Sequence, residues 1–254
     1  MSSSKGKVVD LSDVLKVYTP EVTRYLFAGT KPNSEFTISF DLDVIKIYED
    51  YDKTERIAWK LDTAKDEGTY LWQKRIYELS QVKTDENGKT AMPGTEPYQV
   101  PFRHLCNLVQ IADGDIDKAL DGLADDASGP TPEQLPALRS RAACARYWVE
   151  ECAPEDFRFK LKASGEAPCP ELNAAEKEAI RSLRDKLIAR IETFADDKSC
   201  AEAIYRIAEE HGMEGKALFR AAYQALIGKD QGPRLANFLR SISKERLLGI
   251  LAGY

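Results

Sequence analysis

Beyond Pro101 apolar residues recur at three- and four-residue intervals almost without a break, and this period restricts the larger part of the chain to packed helices. Thr131-Pro132-Glu133-Gln134 reads as a capping box with proline at the first helical position. Leu135, Leu138, Ala142, Ala145 and Val149 follow on one face, and Ala153-Pro154 stops the run. Ile180, Leu183, Leu187, Ile191 and Phe194 predict one long amphipathic helix over 174–194. Ser199 and Glu202 have the spacing of another capping box, whose helix closes at His211-Gly212. Leu218, Phe219, Ala222, Tyr223, Leu226 and Ile227 form a stripe ending at Gly228. Gly232-Pro233 opens the next helix, with Leu235, Phe238, Leu239 and Ile242 inward, and Ser243 begins a last short one.

Before Pro101 the pattern is mixed. Lys7-Val8-Val9 reads as a short strand, and Ser12 as the cap of the helix after it. Thr19 caps a second helix that takes Pro20 at its first position and stops near Gly29. Residues 36–40 alternate apolar and polar, which predicts a strand. Leu42, Ile45 and Tyr48 then begin a helical repeat, and 57–61 and 70–79 look helical too. Residues 83–97 combine Gly, Pro and polar side chains with no period, so they form a loop. The expected fold class is mainly α: a small α/β segment over 1–82, a linker loop over 83–97, and an all-helical domain over 98–254.

Charge works against one class of partner. The net charge is -6, whereas nucleic-acid binders often carry a basic surplus. An acidic chain still binds RNA where its Arg and Lys are gathered on one face. No apolar run approaches the ~20 residues of a membrane span, and the polar first residues lack a signal-peptide core. A cytoplasmic protein with no membrane association is expected. Cys106, Cys144, Cys152, Cys169 and Cys200 make no C-x-x-C pair, and His104 and His211 are far apart. That spacing predicts reduced thiols and no metal site.

Met1-Ser2-Ser3-Ser4-Lys5-Gly6 is a run of small hydroxyl residues followed by a cation and a flexible glycine. Such a loop has the donors to wrap a polyphosphate. Alone the signal is weak, because a Ser-rich N-terminus is more often a disordered tail. The longer stretch M-S-S-S-K-G-K-V-V-D-L-S-D-V-L-K-V-Y-T-P-E-V-T-R-Y-L resembles the signature loop of class I aminoacyl-tRNA synthetases, K-M-S-K-S or K-M-S-S-S, and the P-E-x-x-R-Y-L helix after it. The resemblance implies that Ser2, Ser3, Ser4, Lys5 and Gly6 contact the phosphates of ATP, held with Mg2+. It also implies that Lys5 acts catalytically, stabilising the leaving pyrophosphate as an aminoacyl adenylate forms. Two departures matter: Ser3 stands where the pattern has lysine, and the family's H-x-G-H motif is absent. The nucleotide-binding domain is therefore expected to be supplied in cis, and this chain alone is expected to be inactive and to hold no cofactor.

Further segments resemble the class I lysyl-tRNA synthetases. They are Phe40-Asp41-Leu42-Asp43-Val44, Lys74-Arg75-Ile76-Tyr77-Glu78-Leu79-Ser80, and Gln99-Val100-Pro101-Phe102-Arg103-His104-Leu105. Tyr147-Trp148-Val149-Glu150 and Ala153-Pro154-Glu155-Asp156-Phe157-Arg158-Phe159 belong with them. Leu218-Phe219-Arg220-Ala221-Ala222-Tyr223 with Gly232-Pro233-Arg234-Leu235 is shared with glutamyl-type relatives. The resemblance implies a stem-contact fold, then a helical cage that holds the anticodon of lysine tRNA, in a monomer. A glutamyl-type enzyme and a free-standing, non-catalytic tRNA-binding or scaffold module remain as alternatives.

Within that reading, Arg139, Arg141 and Arg146 lie on one helix near Trp148, a combination suited to phosphate and base contact. They read otherwise as a solvated basic face with Trp148 in the core. Arg103 and His104 follow a Pro-rich loop, and Arg234 sits at a helix start beside Gly232; these are further RNA candidates. For them the other readings are a helix cap and a surface ion pair.

Overall fold

The computed structural model describes residues 10–30, 38–84, 88–124 and 129–254. The chain is mainly α and divides into two compact units, Met1–Pro154 and Glu155–Tyr254. The expected strand at 7–9, the loop Met1 to Gly6 and the first part of the 36–40 strand lie outside the described residues.

In the first unit α1 spans Leu11–Val17, α2 Pro20–Ala28, α3 Asp43–Ala58 and α4 Glu67–Ser80. The cap of α1 is Asp10, not Ser12: the Asp10 carboxylate accepts the Asp13 amide at 3.1 Å and the Ser12 hydroxyl at 2.5 Å. A charged acceptor at the positive end of the helix outcompetes a hydroxyl. At α2 the sequence expectation holds, with Thr19 Oγ1 accepting from Val22 N–H at 3.4 Å and Gly29 at the C-cap.

Residues 38–40 form no strand. Their carbonyls are taken by side chains instead: Ser39 O accepts from Tyr18 Oη–H at 2.6 Å, and Phe40 O from Trp148 Nε1–H at 2.9 Å. Buried backbone groups need partners, and here aromatic donors replace a neighbouring strand. Among the described residues β-pairing amounts to one isolated antiparallel bridge, Thr84 to Thr90.

The unit continues with α5 (Phe102–Ile111), α6 (Ile116–Ala124) and α7 (Leu135–Tyr147), then a π-helical turn Trp148–Cys152 that Ala153-Pro154 ends. The capping box at 131–134 is half formed. Gln134 Oε1 accepts the Thr131 amide at 2.8 Å, but the helix begins only after Gln134. Residues 83–97 do not separate compact units. Tyr48 of α3 stacks on Phe102 of α5 at 3.8 Å and 5°, and Tyr18 and Trp148 extend this aromatic column at 5.9 and 6.1 Å. The loop is therefore punctuation within one core, and the geometric division falls at Pro154/Glu155.

In the second unit α8 (Ala174–Ser182) opens with a reciprocal capping box of Asn173 and Glu176. The single long helix expected over 174–194 is broken. A π segment, Leu183–Leu187, passes into a 3-10 segment, Ile188–Thr193, with Arg190 at φ -128°, ψ 26°. A wide turn followed by tight ones keeps Ile180, Leu183, Leu187 and Ile191 buried, while Phe194 falls past the break. The cap of α9 (Asp197–Glu210) is Asp196, with Ser199 as its third-position partner and not as the cap itself. α10 (Gly215–Ile227) stops at Gly228, whose φ of +67° suits a residue without Cβ. α11 (Leu235–Arg240) and α12 (Lys244–Ile250, capped by Ser243) close the unit.

Candidate nucleic-acid interface

The cations of α7 divide by face. Arg141 points inward, its Nη2 2.6 Å from Asp52 Oδ2 of α3, with side chains 12% and 6% exposed. Its guanidinium lies 4.8 Å from the Tyr48 ring centroid. Arg139 and Arg146, two residues before and five after it, are exposed. They stand about 10 Å apart along the axis at 1.5 Å per residue, on one outer face. Arg139 pairs with Asp117 of α6, and both partners are exposed. Such a pair contributes ~1 kcal/mol or less.

Trp148 has no solvent-exposed surface. Its ring tilts against Phe102 and its Nε1–H is held by Phe40 O. It is a core residue with no face for a base to stack on, which corrects its assignment as an RNA contact. Arg103 and His104 occupy the first turn of α5, exposed and half-buried. In the second unit Arg234 is the exposed N-cap of α11. The structure thus groups Arg139 with Arg146 and places Arg103 and His104 on the neighbouring α5, whereas Arg234 lies in the other unit. Ser2, Ser3, Ser4, Lys5 and Gly6 lie outside the described residues.

Sequence reasoning overlooked Trp72. It is 53% exposed on α4, while Ile76, Tyr77 and Ser80 of that helix are buried. Spacing alone hides it: Trp72 precedes buried Ile76 by four residues, a separation that places two side chains on the same side of a helix, so its exposure is set by what packs on α4.

Charge is unevenly shared. Residues 155–254 are neutral to within one charge, so the first unit holds essentially the whole acidic excess. Burial and not catalysis explains the perturbed acid of that unit. Loss of hydration pushes the Glu55 carboxyl up to about 7, opposed by hydrogen bonds from Gln99 and Tyr77. Gln99 Nε2 donates to Glu55 Oε2 at 2.6 Å and Tyr77 Oη to Oε1 at 2.9 Å. Among the described residues no three His, Cys, Asp or Glu side chains are placed to hold a metal, and no helix is long and apolar enough to cross a membrane.

The family model described as tRNA synthetases class I (K) matches residues 1–83. Similar proteins include the lysine–tRNA ligases of Treponema pallidum (49% identical), Borreliella burgdorferi (44%) and Thermococcus kodakarensis (35%). The first two matches cover 100% of this chain and 46% of the relative, the third 96% and 45%. The chain therefore spans about half the length of the curated relatives it matches.

Proposed function

The chain belongs to the class I lysyl-tRNA synthetase family, matching the C-terminal half of its members, and from that premise we propose that it is the tRNA-binding portion of a lysine–tRNA ligase. The complete enzyme attaches lysine to lysine tRNA through a lysyl adenylate formed from ATP, in the cytoplasm. The observation that carries this reading is the continuity of the match: relatives as distant as 35% identity align across both compact units, not across one of them.

The anticodon is held by helices within 98–254, where residues 155–254 form a unit of their own without the acidic excess of the first. Near neutrality matters because phosphate contact dominates RNA affinity. Bases splayed from an anticodon loop are read by stacking and by hydrogen bonds to their edges. Arg103, His104, Arg139, Arg146 and Arg234 are the proposed RNA contacts, from which Trp148 is now removed. Ser2, Ser3, Ser4, Lys5 and Gly6 are the proposed contacts to ATP phosphates, with Lys5 supplying charge toward the leaving pyrophosphate. The remainder of the enzyme acts in cis, in a monomer.

The test is direct binding of this chain to a lysine tRNA transcript and to the same transcript with substituted anticodon bases. Tighter binding of the natural anticodon is expected, with log affinity falling linearly with log salt. Equal, weak binding to both transcripts overturns the assignment.

A further inference from the structure

We propose that the outer face of α4, centred on Trp72 and Arg75, is a second RNA-contact surface, which takes an unpaired base on the Trp72 ring and an adjoining phosphate on Arg75. The proposal rests on the tRNA-binding role given above and adds a surface in the first unit.

The helix is two-faced. Ile76, Tyr77 and Ser80 are buried in a unit where α4 packs on α2 and α3. Outside that face Arg75, Leu79 and Trp72 fall within ~60° of one another at 3.6 residues per turn, with Trp72 at the margin next to Ile76. Leu71 borders them, and Val82 follows just past the helix end. Trp72 is 53% exposed, Leu71 56%, Leu79 36% and Val82 49%. Single exposed apolar residues are ordinary, but three on one helix with a fourth just past its end mark an interaction surface.

The charges select the partner. Arg75 lies one turn from Trp72 and Lys74 flanks it, and the two share one carboxylate, Glu78, at 3.2 and 3.9 Å. Arg24 of α2 adds a third cation, since its Nε and Nη2 donate to Leu79 O at 3.2 and 3.0 Å and so fix its guanidinium beside the face. Asp66 caps the helix and Glu67 lies in its first turn, and they bound the surface at that end. Beyond them Arg75, Lys74 and Arg24 stand against Glu78, a local surplus of cations in a chain of net charge -6. A protein partner covering Leu71, Leu79 and Val82 would strip water from Arg75, which shares one carboxylate with Lys74, and from Arg24, held by a carbonyl, which is costly. An RNA strand uses both features, the aromatic face for a base and the cations for phosphates. The helix lies within the stretch matched by the tRNA synthetase family model, residues 1–83.

Trp72 also provides the readout. Trp148 is fully buried and Trp59 half-buried, so acrylamide quenching of the chain's fluorescence reports mainly on Trp72, with Trp72→Phe as the background. A saturating lysine tRNA transcript is expected to protect Trp72 from acrylamide. Trp72→Ala should weaken tRNA binding roughly tenfold with unchanged thermal stability, Trp72→Phe should retain most of the affinity, and Arg75→Gln should lower the salt slope by about one. Wild-type chain that binds tRNA with Trp72 still fully quenched, or Trp72→Ala that binds as wild type, overturns the inference and leaves the proposed function standing. Self-association at micromolar concentration that Trp72→Ala abolishes, without RNA protection, reassigns the face to a protein contact and also overturns it. No binding of the transcript at all removes the proposed function and this inference with it.

Discussion

Arg141 of α7 and Asp52 of α3 meet through Nη2 and Oδ2 at 2.6 Å beneath the first unit's surface, with the guanidinium lying over the ring of Tyr48. The ion pair thus joins residues 89 positions apart. Removing one partner strands the other charge where water cannot reach it. Arg141→Ala should therefore lose about 3–5 kcal/mol of stability in urea denaturation. Arg139→Ala, two residues away with an exposed partner, should change stability by no more than about 1 kcal/mol. Equal effects for the two variants would contradict the inward placement of Arg141.

Glu55 makes stability depend on pH in an unusual direction for a carboxylate. Burial raises its folded pKa from 4.5 to about 7, so the folded state holds this proton more tightly than the unfolded one. Its contribution is fully present below about pH 4.5, declines as pH rises to about 7, and is flat above that. Glu55→Gln removes the charge and keeps an acceptor for Tyr77 Oη. Paired urea titrations should find it more stable than the parent at pH 8, by up to about 3 kcal/mol, with the difference vanishing near pH 4.5. A gain independent of pH would exclude this account.

Trp148→Phe tests whether that ring is core. The change orphans Phe40 O, which accepts Nε1–H at 2.9 Å, and leaves space beside Phe102. A loss of about 1–3 kcal/mol is expected. The folded protein should bind tRNA as before; a weaker complex at unchanged stability would return Trp148 to the interface.

The thiols should react in a definite order. Burial pushes Cys144 and Cys200 up to about 11 and Cys106 higher still, so their thiolate is scarce at neutral pH. Cys152 is the half-exposed one among the five. At pH 7.5 an aromatic disulfide reagent should modify Cys152 first, and Cys106, Cys144 and Cys200 only as fast as the chain unfolds. Rapid modification of Cys200 in the native state would be the contrary result.

Local chemistry made several features legible. The Thr19-Pro20 start of α2 and the Gly228 stop of α10 need only the residues at those positions. Asp10 and Asp196 were passed over as caps in favour of nearby serines, although an aspartate three residues before the amide it serves is an equally local signal. The break at Arg190 was not legible, because the apolar spacing fits a continuous helix as well as a π turn followed by 3-10 turns. At the interface, arginines beside a tryptophan suggested Trp148, and nothing near it in sequence reveals that Phe40 and Phe102 enclose it.

The sequence by itself determined that this chain is helical, where most helices begin and end, and to which family it belongs. Those properties depend on periodicity, on capping residues, and on motifs carried in order along the chain. Tertiary structure decided which side of each helix meets water. Arg139 and Arg141 are two residues apart, about 200° around the axis, so one faces Asp117 in solvent and the other Asp52 in the core. It also decided that residues on both sides of the 83–97 loop share one aromatic core, and that Trp72 and not Trp148 is the tryptophan presented outward. Burial is set by elements distant in sequence, and no local pattern contains them.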